Sequence, residues 1–318
     1  MINLRYHIVS LVAVFLALAL GIVMGSTVID RAIVDGLRNR VESVSKRADR
    51  IDSENAALHG QLDTMHTFAD QARDQLVQGR LKGVPVLVVT VQGVDRKPVE
   101  SLRDALAVAQ ADPAGTLLFT NKLRLDNDND MRALATALNV APTSADTVRR
   151  QALSRLAGTL DGTSGEGNLI PTLSAAGFVG YEPPSPATTT STLGLSSFPV
   201  AGLRVVLVSG AGAQVGDDEV AVPFAQALVA QVSAQTPGGV SRLVAAESGQ
   251  DTPGGRGVFV GPLRADGSVA PKLSTVDNLE SPVGQAAVVL ALDDLDVPRT
   301  GSYGVGPGAQ RLLPAVEP

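Results

Sequence analysis

Residues 8–29 read IVSLVAVFLALALGIVMGSTVI, and residues 30–76 read DRAIVDGLRNRVESVSKRADRIDSENAALHGQLDTMHTFADQARDQL. The first stretch holds no charged side chain and, as a helix, would be roughly 30 Å long, enough to cross the hydrocarbon core of a bilayer. A cleaved signal peptide is the rival, since Arg5 precedes the run and Ala17-Leu18-Ala19 resembles a cleavage site. The apolar run nevertheless continues through Leu20, Ile22, Val23 and Met24, which favours a retained anchor. Ala13, Ala17, Gly21 and Gly25 recur every four residues and lay a smooth stripe along the helix, where a second backbone could approach closely.

The second stretch carries Val34, Leu37, Val41, Val44, Ala48, Ile51, Asn55, Leu58, Leu62, Met65, Ala69, Ala72 and Leu76 at alternating spacings of three and four. This is an a/d seam over about six heptads, the period of a left-handed coiled coil. Asn55 is its one fully polar core position. A buried Asn satisfies its amide only against a like residue, so it favours a parallel dimer in one register at some cost in stability. Across such a dimer Arg47 would face Asp52, and Glu54 would face His59. The alternative is a single amphipathic helix lying on its own domain, but a two-sevenths stripe is narrower than a globular helix usually shows. The expected dimer interface is Ala13, Ala17, Gly21, Gly25, Val34, Leu37, Val41, Val44, Ile51, Asn55, Leu58, Leu62, Met65 and Leu76. Charge does not orient the anchor: Arg5 precedes it, Arg31, Arg38 and Arg40 follow it, and long domains translocate largely regardless of such charges.

The chain has 318 residues, with a short tail at 1–7, the anchor at 8–29, the coil at 30–80 and a body at 81–318. The body is long enough for one large domain or for two lobes, 81–182 and 203–297, joined by the Pro/Ser/Thr-rich stretch 183–202. Its core must be built from Ala, Val and Leu, because there is no Trp, three Tyr and seven Phe. A net charge of -6 with so few rings argues against nucleic acid. The absence of cysteine excludes disulfides, thiolate metal sites and a Cys nucleophile.

Within the body, 84–91 reads as a buried strand, a helix begins near Pro98, and 116–120 is a second strand, the opening of a parallel α/β sheet. Helices follow over 130–139, over 144–160 with Thr143 and Asp146 as a capping-box-like start and Gly162 as the stop, and over 168–176. The second half offers a strand at 203–209, a helix over 223–232, weaker strands at 240–245 and 257–260, a strong buried strand at 286–292, and an irregular Gly/Pro-rich tail from 298. The expected fold is therefore α/β: a transmembrane helix continuing into a parallel dimeric coiled coil, then a body with a mainly parallel sheet.

Three local patterns invite chemistry and are better explained without it. Gly210-Ala-Gly212 follows a strand, but it lacks the third Rossmann glycine and any GKS or GKT, and Asp217-Asp218-Glu219 would repel phosphate. Asp126-Asn-Asp128-Asn-Asp130 begins like a calcium loop, yet Met131 stands where glycine is required and Ala137 where a bidentate Glu would close the shell; a helix start explains it better. His59 and His66 lie one heptad apart and read as wet flanking positions. With no GxSxG or HExxH, no enzyme is expected and no cofactor is called for.

Met1-Ile-Asn-Leu-Arg-Tyr-His7, the run Ser10–Gly21, Met24-Gly-Ser26, Ser274-Thr-Val-Asp-Asn-Leu279, Val288-Val-Leu-Ala-Leu292 and Gly301-Ser-Tyr-Gly-Val-Gly306 together resemble the actinobacterial family called mycobacterial copper transport protein B. The likeness covers both ends and the order of anchor, rod and body. It implies an envelope protein whose body lies outside the cytoplasm, with copper homeostasis or efflux through an outer-membrane channel as the usual description. Corynebacterial relatives are placed instead in cell separation, as partners of a membrane protein with a thiamin-pyrophosphokinase-like domain. A channel needs several spanning helices or a closed barrel, and this chain offers one span. The residues therefore favour a dimeric scaffold for another envelope protein, with a copper transporter or channel subunit as the alternative and copper binding implied by the resemblance alone.

Overall fold

The computed structural model of the chain describes residues 4–164, 167–184, 194–198, 200–236, 239–249, 256–297 and 299–315, with the side chains of 4 and 26–35 left aside. Residues 185–193 and 199 of the Pro/Ser/Thr-rich stretch lie outside these residues. The chain divides into two compact units, Met1–Met65 and His66–Pro318.

The first unit is helical. It belongs to α1 (Leu4–Val77), whose apolar stretch Arg5–Gly25 has a mean hydropathy of 2.8 and none of its residues buried. No Pro interrupts this helix, and its polar face carries the i,i+4 pair Lys46–Glu42 at 2.7 Å.

The second unit is built on one seven-stranded sheet in the order β3-β2-β1-β4-β5-β6-β7. Its strands are β1 (Pro85–Val91), β2 (Asp112–Phe119), β3 (Val179–Glu182), β4 (Arg204–Gly210), β5 (Leu243–Ser248), β6 (Ser274–Val276) and β7 (Ser302–Tyr303). All pairings are parallel except β2 with β3. The central β4 is buried along its whole length, the condition under which a continuous apolar run reads as a strand.

The helices of this unit are α2 (Arg96–Val108), α3 (Asp128–Ala137), α4 (Ala145–Asp161), α5 (Leu169–Ala175), α6 (Ala221–Gln235), α7 (Val260–Ala265) and α8 (Pro282–Asp293). Alternation along β2 places two of them. Thr116 meets Arg103 of α2, whereas Phe119 stacks edge-on against Phe224 of α6 with centroids 5.0 Å apart, so α2 and α6 cover opposite faces. Helix α8 packs on α2, and α4 and α7 pack on α6. The last turns of α1 belong to the α2 and α8 layer. Val77 and Leu81 are fully buried, Arg73 Nη1 donates to Gln285 Oε1 at 2.6 Å, and Arg80 meets Asp293 at 3.4 Å.

Several sequence expectations need correction. The stretch 286–292 is not a strand but the interior of α8: every residue from Gly284 to Leu292 is buried, so the helix shows no polar face and no 3.6-residue period. Its start was nevertheless marked, by Ser281 accepting from Gly284 N–H and by Pro282 in the first turn. The stretch 257–260 is the entry to α7, because Glu247 gathers its N–H groups and turns it helical. The strand expected at 240–245 begins only at Leu243. Ser144, not Thr143, caps α4, accepting from Thr147 N–H. The tail is not wholly irregular, since it supplies β7, and β3 and β6 were too short and too polar to stand out.

Candidate functional site

Two regions of the molecule invite a functional reading: the face of α1 and the carboxyl ends of the sheet strands. On α1, the large seam residues within the described side chains are open to solvent. Leu37 is 57% exposed, Val41 66%, Val44 67%, Ile51 48%, Leu58 55%, Leu62 51% and Met65 69%. Ala13, Ala17 and Gly21 are exposed as well, Gly25 is half-exposed, and Asn55 is exposed on the same seam. The side chain of Val34 lies outside the described residues. Leu76 is placed differently: it is half-buried and packs against the core of the body. Phe68 is 72% exposed and lies one position outside the a/d pattern, so the seam periodicity does not mark it. A row of aliphatic side chains left in water on one stripe of a helix is costly, and a second helix offering the same stripe removes most of that cost.

The carboxyl ends of β1 and β4 flank the point where strand order reverses, the usual ligand crevice of an open parallel sheet. Here the crevice is filled by the protein itself. Gly93 and Gly212 pack backbone to backbone, Gln214 N–H donates to Gln92 O at 2.7 Å, and a Cβ on Gly93 would lie 2.3 Å from Gly212 O. The glycines after β4 therefore serve close loop packing and leave no phosphate cradle. Beside them Asp217 accepts from Ser209 Oγ. Burial pushes this carboxyl up to about 6, helped by Glu247 and Asp218 and opposed by the hydrogen bonds from Ser209 and Gly210.

Two other charges along this edge, Glu247 and Asp277, are buried and well partnered. Glu247 is fully buried and accepts from the N–H groups of Gly257, Val258, Phe259 and Val260. Asp277 is fully buried, takes Val305 and Gly306 N–H on Oδ1, and pairs with Arg264 at 2.7 Å through Oδ2. Arg264 also donates to Thr275 Oγ1, Pro307 O and Tyr303 O. Such groups brace loops; they offer no open valence for a substrate. In the calcium-like stretch, Asn127 caps α3 by accepting from Asn129 and Asp130 N–H, and Asp126 meets Arg124 at 3.3 Å. Among the described residues no group of three or more His, Asp or Glu side chains could hold a metal ion.

Fold and surface define a class: an α/β body with a mostly parallel sheet, preceded by a long helix whose first part is apolar enough to span a membrane. The chain belongs to the family described as "Copper transport outer membrane protein, MctB", whose profile matches residues 1–314. Relatives named "Copper transporter MctB" from Mycobacterium tuberculosis and Mycobacterium bovis are 27% identical over 98% of this chain and 99% of their own length. The Mycobacterium leprae protein of the same name is also 27% identical, over the same shares of each chain.

Proposed function

We propose that the protein is a single-pass, parallel homodimeric scaffold whose rod carries the α/β body outside the cytoplasm, where it engages another envelope protein. A thiamin-pyrophosphokinase-like membrane protein of cell separation is a suitable partner. The observation that carries this reading is the exposed aliphatic seam from Leu37 to Met65 with Asn55 in its core. The chain lacks cysteine, which makes the test clean. In membranes, Leu58→Cys at a d position should crosslink to dimers under mild oxidation, and Ser53→Cys on the opposite face should not. A monomer by light scattering of the detergent-solubilised chain at micromolar concentration, with no crosslink at position 58, would sink it.

The family's description favours a second reading, a copper transporter or channel subunit. The one candidate span among the described residues would then have to assemble into a higher oligomer to enclose a pore, because backbone in lipid must be paired internally. Carboxylates remain the only plentiful ligands for the ion. Copper retained by the purified chain after dialysis, together with conductance in planar bilayers, would support this reading over the first.

A further inference from the structure

A cavity of about 600 Å3 lies along α2 and is used by nothing described above. Its floor is Val86 and Val88 of β1 with Leu106 of α2, and its far wall is Pro113, Pro183 and Pro184. A second cavity of about 150 Å3 extends it past Leu118 and shares Glu100, Arg103 and Thr116 with it. The combination of apolar floor and a few convergent polar groups is that of a binding groove.

The charges bear on the occupant; Arg96 lines the smaller cavity only. Arg103 is already committed, donating to Thr116 Oγ1 and, at 2.7 Å, to Glu182 Oε2. Glu100 and Asp104 line the same cavity and have no ion-pair partner among the described residues. They stand four residues apart on one helix, so two like charges repel each other along the groove wall. Their spacing of about 6 Å matches the roughly 6.7 Å between alternate side chains of an extended strand. We propose that this groove docks an extended segment of a partner protein that carries Lys or Arg at alternate positions. The cationic heads meet Glu100 and Asp104, and the apolar residues between them face the floor and the proline wall. The inference rests on the scaffold reading and names the surface it uses.

The test uses the full chain in detergent and a fluorescein-labelled hexapeptide, Val-Lys-Val-Lys-Pro-Leu, with Val-Glu-Val-Glu-Pro-Leu as control. Anisotropy should show the lysine peptide bound at least tenfold more tightly, weakening as salt rises. The E100K/D104K double variant should lose that preference and gain the glutamate peptide; E100Q/D104N covers the case in which the reversal does not fold, and should bind both peptides equally weakly. Equal binding of both peptides by the native chain, or affinity indifferent to these substitutions, overturns the proposal. Displacement of the lysine peptide by spermidine at equal concentration also overturns it, since the groove would then read charge without sequence. Photo-crosslinking separates this from the scaffold reading: a partner captured from a crosslinker at Phe68 but never from one at Ala107 rejects the groove and leaves the scaffold standing.

Discussion

Asp217 shows how a single residue can set the pH response of this body. Its folded pKa of about 6 lies above the ordinary 3.8 because burial disfavours the charge. The folded chain therefore holds the proton more tightly than the unfolded chain does. Below about pH 4 both are protonated and no cost arises; stability falls as pH climbs from 4 to 6, and above 6 the whole cost is present, on the order of 2 kcal/mol after allowing for partial exposure. Asp217→Asn keeps an acceptor for Ser209 and removes the charge, so it should raise the melting temperature at pH 8 and match the native chain at pH 4. Identical melting curves at pH 8 would show that the charge carries no such cost. Arg264 makes the opposite case. Removing it leaves Asp277 buried with only its two N–H donors, so Arg264→Ala should cost about 3–5 kcal/mol in denaturant unfolding. A loss below about 1 kcal/mol would mean that water or a neighbour replaces the guanidinium.

At the scale of elements, what could be read from the sequence followed from how evenly each element is buried. β1 and β4 stood out because a continuous apolar run of strand length, closed by glycine, fits few other structures. The same logic misled at α8, where a helix buried on every side imitates a buried strand, and only Ser281 and Pro282 gave its start away. The entry to α7 could not be read locally at all, since it is organised by a carboxylate from β5. The stretches 274–279 and 301–306, which carried part of the family resemblance, turn out to supply Asp277 and Tyr303 to the bracing around Arg264. The a/d spacing along α1 could be read from the sequence, but that Leu76 packs against the body could not, and neither could the groove beside α2, whose walls come from β1, β2, α2 and the residues after β3. For the coil the prediction concerns Asn55. In the proposed dimer, Asn55→Val should raise thermal stability by replacing a polar core pair with an apolar one, while admitting other registers or oligomers in sedimentation. A variant of unchanged stability and unchanged oligomer would place Asn55 outside any seam.

For the whole molecule, the family's description and the chain's own make-up pull in different directions. Passing an ion demands a closed wall across the bilayer, whereas the described residues offer one helix long and apolar enough to cross it, which suits holding a body at a surface. The body itself carries no gathered metal ligands among its described residues and fills its own ligand crevice with the Gly93 and Gly212 loops. What the described residues do present is surface: the exposed seam and Phe68 on α1, and a groove in the body edged by Glu100 and Asp104. A scaffold of this kind works only if the body stands on the same side as its partner. Thr143 is exposed and far in sequence from the anchor, and the chain has no cysteine of its own. In intact cells stripped of their outer barrier, Thr143→Cys should therefore react with a membrane-impermeant maleimide, and Arg5→Cys should react only after the membrane is opened. The reverse pattern would put the body in the cytoplasm, where an envelope partner could not reach either the rod or the groove.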